Sequence, residues 1–267
     1  MFYTSDDAKL FYTIEGEGPD VVLLHPTPCN HRFWLEMAAL LTPKYRVVMP
    51  DLRGHGLSEA GSGPITMEKL GQDLVRLLDE LHIQRAMFAG CSIGGYVLYE
   101  LWRKEGARMS AMAFCCAKPQ ADTEANRTRR QEWIELIGSR GTGDWIESML
   151  NELIGATARR RAPEKIAEVR EMMQALTPSA VIAVQQGLGE RPDSVETAKT
   201  IRVPAFVLAG GEDHSSTTAD MKLLAELIRS AGYGAEFTEI RDAGHYAPWE
   251  QPQMVGRLLR RFFDSLI

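Results

Sequence analysis

The chain has 267 residues, 45% of them hydrophobic and 25% charged, and a formal net charge of −6. That length buries one large core with room for a smaller appended module. A mildly acidic chain without a basic stripe argues against nucleic acid as a main partner, and no apolar run reaches the length of a membrane span.

The opening run MFYTSDDAKLFYT lacks a basic region followed by an apolar one, so no secretory signal is expected. AKLFYTIEGEG, from Ala8, reads as an early antiparallel strand that ends in a turn. DVVLLHP is a buried strand, HRFWLEMAALLT a helix and YRVVMPDL the next strand; TMEKLGQDLVRLLDELHI is an amphipathic helix. RAMFAG, ending at Gly90, is a short buried strand, and the helix IGGYVLYELWRKEG runs from Ile93 to a glycine stop at Gly106. MSAMAFCCA follows. Near-continuous apolar strands separated by helices predict a mostly parallel, doubly wound α/β sheet covered on both faces.

After Lys118-Pro119 the alternation stops. From Gln120 to Pro192 only helical patterns occur: DTEANRTRRQEWIELIGS, TGDWIESMLNELIG, APEKIAEVREMMQAL and PSAVIAVQQGLG, divided by Gly and Pro. Strand–helix alternation then resumes with VPAFVLAGGED, a helix from Thr218 to Ser230, AEFTEIRDAG and a last helix PQMVGRLLRRFFDSL. The expected organisation is a core of residues 1–119 and 193–267, with residues 120–192 inserted as a helical cap over the carboxyl edge of the sheet.

Gly90-Cys91-Ser92-Ile93-Gly94 stands at the junction of strand and helix. A serine at such a turn is forced into a strained backbone conformation that lifts its hydroxyl above the sheet. Gly90 and Gly94 let strand and helix approach without side-chain collision, so Ser92 is the candidate nucleophile of a serine hydrolase. His245, in DAGHYAPWEQP past the last strand, is the candidate base, and Asp213, in VLAGGEDHSS, the carboxylate that orients it. The order Ser92, Asp213, His245 suits three loops at one carboxyl edge. Glu212 and Asp122 are rival acids. His25 and His55 are expected to orient loops, His31 and His82 to lie on helix surfaces, and His214 to sit on an exposed loop near the site entrance. The N–H of Ile93 is one expected oxyanion donor; the other is the N–H of Thr27, because Pro26 has none to give.

HPTP…FW, DLRGHGLS, GCSIGG, GGED and AGHYAPWEQP together resemble the motif series of the α/β-hydrolase superfamily, over nearly the whole chain. MAFCCAKPQADTEANRTRR is similar to the start of the cap in 3-oxoadipate enol-lactonase-like hydrolases. The resemblance implies the α/β-hydrolase fold, a four-helix cap and a cofactor-free esterase or lactonase acting on a small molecule. The chain departs from the family pattern at His25-Pro26, where His-Gly is usual. A serine at the elbow argues against dehalogenase and epoxide hydrolase chemistry, which resembling folds perform with a carboxylate nucleophile. Two other readings keep the site: hydrolysis of a carbon–carbon bond in a diketone, and a small-molecule receptor in which turnover is incidental.

Trp34 and Trp249, close in sequence to the proposed catalytic groups, and Trp133 and Trp145, in the insert, are the candidate substrate-binding residues; Met149, Met172 and Met173 share the insert's apolar spacing. The arginines Arg127, Arg129, Arg130 and Arg159 to Arg161 are weighed as a carboxylate clamp against a solvated helical face. Cys29, Cys91, Cys115 and Cys116 show no metal-ligand spacing; no metal is expected, and buried reduced thiols in a cytoplasmic protein are. Cys91, at the strand end, is expected to point into the core. No oligomeric state is implied.

Overall fold

Five strands carry almost nothing but apolar side chains, and this dictates a sheet buried on both faces. A computed structural model describes all 267 residues. Eight strands, β1 (Phe2–Ser5), β2 (Ala8–Glu15), β3 (Asp20–Leu24), β4 (Arg46–Pro50), β5 (Ala86–Cys91), β6 (Met109–Cys115), β7 (Ala205–Gly210) and β8 (Ala235–Ile240), form one sheet in the order β1-β2-β4-β3-β5-β6-β7-β8. The β1–β2 and β2–β4 pairs are antiparallel and every other pair is parallel. The two-residue period of a strand divides the core: Val22, Leu24 and Phe88 face one apolar layer, Val21, Leu23 and Met87 the other.

Twelve helices accompany the sheet: α1 (Leu35–Ala38), α2 (Met67–Glu80), α3 (Ile93–Glu105), α4 (Glu124–Arg140), α5 (Gly143–Leu153), α6 (Ala156–Arg161), α7 (Pro163–Gln174), α8 (Pro178–Gly189), α9 (Val195–Ala198), α10 (Thr218–Ser230), α11 (Ala247–Glu250) and α12 (Pro252–Asp264). The Thr66 hydroxyl accepts from the Lys69 N–H to cap α2, whose Leu70, Leu74, Leu77 and Leu78 bury one face. Thr217 and Asp220 close a reciprocal capping box on α10. α4 to α8 lie between β6 and β7 and form the insert. No helix is long and apolar enough to cross a membrane.

Three local expectations change. The helix expected from His31 shrinks to a 3-10 turn over His31–Trp34 and the single turn α1, because the chain must double back before Pro43 to start β4. β1, only four residues long, gave no sequence signal and is held by pairing with β2. The insert contains α6 besides the four expected helices; its ATARRR sequence has no apolar period to betray it.

The wholly buried Arg53 guanidinium depends on its partners. Asp73 takes both Nε (2.8 Å) and Nη2 (2.7 Å), Asp7 takes Nη1 (2.6 Å) and the Ser5 carbonyl a further bond from Nη2 (2.9 Å). Asp73→Ala removes two of the four hydrogen bonds of the buried guanidinium and leaves Asp7 as its one counter-charge, and we expect a loss of about 3–5 kcal/mol. Urea unfolding checks this; a change below about 1 kcal/mol, the size of an exposed pair, contradicts it.

Candidate active site

Ser92 caps the N-terminus of α3 at φ 51°, ψ −118°, a left-handed position that a non-glycine residue seldom takes. The cause is lack of room. A Cβ on Gly94 would lie 2.2 Å from the Leu24 carbonyl oxygen, and one on Gly90 would lie 2.4 Å from the Gly94 carbonyl carbon. Strand and helix therefore touch backbone to backbone, and the serine between them faces an opening.

That opening is a cavity of about 220 Å³ whose wall contains Ser92 and His245. His245 Nδ1 lies 2.8 Å from Asp213 Oδ2, with both side chains almost wholly buried. Asp213 Oδ1 accepts from the amides of Ser215 (2.7 Å) and Ser216 (3.1 Å). Burial alone would raise the Asp213 carboxyl; His245 and those bonds outweigh it and hold the group below the usual carboxylate range. An ionised Asp213 accepts a hydrogen bond from Nδ1–H and leaves Nε2 with the free lone pair. No hydrogen bond joins the Ser92 hydroxyl to the imidazole. The rival acids are engaged elsewhere: Glu212 accepts from the amide (2.8 Å) and hydroxyl of Thr157, and Asp122 from Arg130 (2.5 Å) and Arg191 (3.2 Å).

Thr27 is also in the wall. The Pro26 carbonyl accepts from the Cys29 amide at 2.9 Å and from His25 Nδ1 at 2.9 Å. Because a trans peptide sets N–H opposite to C=O, this fixes the Thr27 N–H, which has no acceptor of its own in the protein. His25 Nε2 accepts from the Leu52 amide at 2.8 Å, so its tautomer is set. His55 Nε2 lies 2.8 Å from Thr27 Oγ1, and the Tyr246 hydroxyl donates to the Thr27 carbonyl at 3.0 Å. Ile93 is the first residue of α3 and its N–H lacks an intrahelical partner; its side chain is buried in the core.

The insert forms the rest of the wall. Trp133 on α4, Trp145 and Met149 on α5 and Gln185 on α8 all face the cavity. Trp34 and Trp249 do not. Trp34 is wholly buried against Phe33, and Trp249 packs under the Lys165 ammonium at a separate groove, which Met172 also lines. Their closeness to His25 and His245 in sequence did not bring them to the opening. Met173 is core. Arg129 and Arg130 line the cavity, and each of the insert's arginines has a partner in the protein: Arg129 Glu152, Arg130 Asp122 and Gln185, Arg161 Asp242, with Arg127 beside Glu124, Arg159 on Asn151 and Arg160 on Thr157. His31 is half-buried, its Nδ1 2.8 Å from Asp51, and is not a surface residue. His214 is exposed at the cavity mouth.

Several wall residues were missed, among them Tyr96, Lys118, Asn126, Glu152 and Gln185. Tyr96 lies one helical turn after Ser92 and so shares its face, a signal present in the spacing. Lys118 lies three residues past β6, where loops at the carboxyl edge converge. All four cysteines are buried and free, and Cys91 donates to the His245 carbonyl at 3.5 Å. Cys116, Asp213 and His245 bring one metal-ligating atom each within 4.8 Å of one another. The Asp213–His245 bond occupies two of those residues, so an ion there would have to displace it.

The model of the Alpha/beta hydrolase family matches residues 21–258. The chain is 27% identical over 255 residues to 3-oxoadipate enol-lactonase 1 of Acinetobacter baylyi, covering 93% of this chain and 90% of that one. Among solved structures, a thermophilic esterase from Thermogutta terrifontis with malate bound superimposes with a TM-score of 0.92 at 31% identity, over 97% of this chain and 94% of the other. The enol-lactonase from Burkholderia xenovorans gives 0.91 at 26% identity, over 99% and 100%.

Burial, reinforced by His55, lowers His25 from 6.5 to about 3. As pH falls below 6.5 the unfolded chain protonates at this ring while the folded protein does not, so its contribution to stability is whole above 6.5 and is lost towards 3. His55 is lowered by burial too and adds to the wild-type slope. We expect His25→Asn to flatten the dependence of unfolding free energy on pH by one proton, about 1.4 kcal/mol per pH unit. Denaturant melts of both proteins across the acid range check this, and parallel slopes contradict it.

Proposed function

This chain belongs to the alpha/beta hydrolase family, and from that premise we propose that it cleaves a small carboxylic ester or lactone through an acyl-Ser92 intermediate. The observation that carries the reading is the meeting of Ser92 and His245 on one cavity wall, with Asp213 bonded behind the imidazole. The lactonase and esterase names of the relatives support the ester-type substrate.

In this reading Ser92 Oγ attacks the substrate carbonyl carbon while its proton passes to His245 Nε2. Catalytic hydrogen bonds commonly close only in the substrate complex, which accommodates the unbonded hydroxyl seen here. Asp213 stabilises the imidazolium through Nδ1–H. The Thr27 and Ile93 N–H groups receive the oxyanion, and aimed donors of this kind need no reorganisation as charge develops. Collapse breaks the acyl–oxygen bond, and His245 returns the proton to the leaving alkoxide; with a lactone that alcohol stays tethered to the acyl group. Water, deprotonated by His245, then attacks the acyl carbon and frees the carboxylic acid and Ser92. The insert serves as a cap, its Trp133 and Trp145 forming the apolar part of the substrate wall.

With p-nitrophenyl butyrate as substrate, Ser92→Ala and His245→Ala should each lower kcat by about 10³-fold or more. A fluorophosphonate should label Ser92 alone, and peptide mapping locates it. Turnover undiminished in Ser92→Ala rejects the nucleophile.

A further inference from the structure

One carboxylate holds the chain on both sides of His245. Glu250 Oε2 accepts from the Gly244 amide at 2.9 Å, and Oε1 from the Tyr246 amide at 3.2 Å. The same Oε2 accepts at 3.2 Å from the amide of Gly155, the residue that joins α5 to α6 in the insert. The amide of His245 itself donates to the Leu153 carbonyl of α5 at 3.0 Å. Three successive amides are thus fixed, two by Glu250 and one by the insert. The joint has no slack: a Cβ on Gly155 would lie 2.6 Å from the Gly244 nitrogen and 2.7 Å from Glu250 Oε2.

The geometry points to Glu250 as a positioning residue whose carboxylate sets the backbone of the His245 loop and couples it to the insert at Gly155. The inference rests on the reading of His245 as the base. The Asp213 bond restrains the direction of the imidazole, but the loop backbone sets its distance from Ser92. A misplacement of about 1 Å at a reacting group can cost about 100-fold in rate, so the loop must be held from behind.

Charge on the clamp matters as well. Burial raises the Glu250 carboxyl, the three amides lower it and Glu212 raises it again, leaving it at about 7. Glu212 faces it from the loop after β7, Cys116 from the end of β6 and Tyr246 from its own loop, while Arg159 and Arg160 of α6 face Glu212. Protonation turns one acceptor oxygen into a donor, so three amides compete for fewer lone pairs and the joint loosens below neutrality.

The test compares wild type and Glu250→Gln in p-nitrophenyl butyrate hydrolysis across pH, with backbone hydrogen exchange followed by mass spectrometry. The variant should lose about 10- to 100-fold in kcat with KM nearly unchanged, because ring placement rather than substrate binding is disturbed. Exchange should quicken in both segments, residues 243–247 and 153–157. The acid limb of the wild type should contain an extra fall of the same size across the Glu250 titration, and the variant a single ionisation. Should Glu250→Gln not fold, wild-type exchange in the two segments, corrected for intrinsic pH dependence, must still rise between about pH 8 and 6. Wild-type kcat, limb and exchange in the variant overturn the inference, as does a kcat loss without faster exchange at 153–157. Turnover that survives Ser92→Ala fails the proposed hydrolysis instead, and the exchange measurements then judge Glu250 alone.

Discussion

The contact between Gly94 and the Leu24 carbonyl governs the site. It is so close that no side chain fits between the start of α3 and the end of β3. Since β3 and β5 are neighbours, with Leu24 opposite Gly90, one backbone contact locks two strand ends and a helix N-terminus together. The loop that leaves β3 begins at once with His25-Pro26-Thr27, so the same contact that lifts Ser92 sets the origin of the loop bearing the Thr27 amide. Ser92 and the Thr27 and Ile93 amides, the proposed nucleophile and oxyanion donors, are therefore placed by main chain, which has little freedom. The imidazole, on a loop beyond β8, is placed by polar contacts that have more.

The histidines show how environment divides one residue type into separate jobs. His25 and His55 lie with ring centroids 5.1 Å apart in a wholly buried pocket, where each ring would repel a charge on the other. Burial outweighs the attraction of Asp51 and keeps both neutral, which suits rings that serve as fixed donors and acceptors for the Thr27 loop. His245 is as deeply buried, but its Nδ1 is bonded to Asp213, which is held below the usual carboxylate range. The difference is one carboxylate in hydrogen-bonding contact.

Much of the core was legible because its signals are local. Continuous apolar runs gave β3 to β7, amphipathic periodicity gave α2, and Gly90-x-Ser92-x-Gly94 marked the elbow. The placing of Ser92, Asp213 and His245 at strand exits follows from sheet topology, which alternation alone implies. The wall of the cavity was less legible. Trp34 and Trp133 both fall in stretches expected to be helical, and their sequence surroundings do not say that one is core and the other faces the opening. The role of Glu250 was hidden for another reason: its partners are amides of Gly155, Gly244 and Tyr246, and backbone amides leave no mark in composition.

Two buried polar joints hold the insert, one between its own two ends and one against the core, and their chemistry explains why an apolar roof alone would not serve. At the root, Asp122 receives Arg130 from α4 and Arg191 from beyond α8, so the first and last helices of the insert converge on one buried carboxylate. At the other joint Glu212 and Glu250, neighbours of the acid and base loops, take amides of Thr157 and Gly155. Apolar helix faces can slide over a sheet edge at small cost, since dispersion and area burial are nearly indifferent to direction. Buried charges are not indifferent: displacing either joint by one bond length leaves a desolvated carboxylate or guanidinium unpartnered, at a cost of several kcal/mol. The apolar surface thus supplies adhesion and the carboxylates supply register. A cavity wall built half from core and half from insert needs that register, because its shape exists only when the two are aligned.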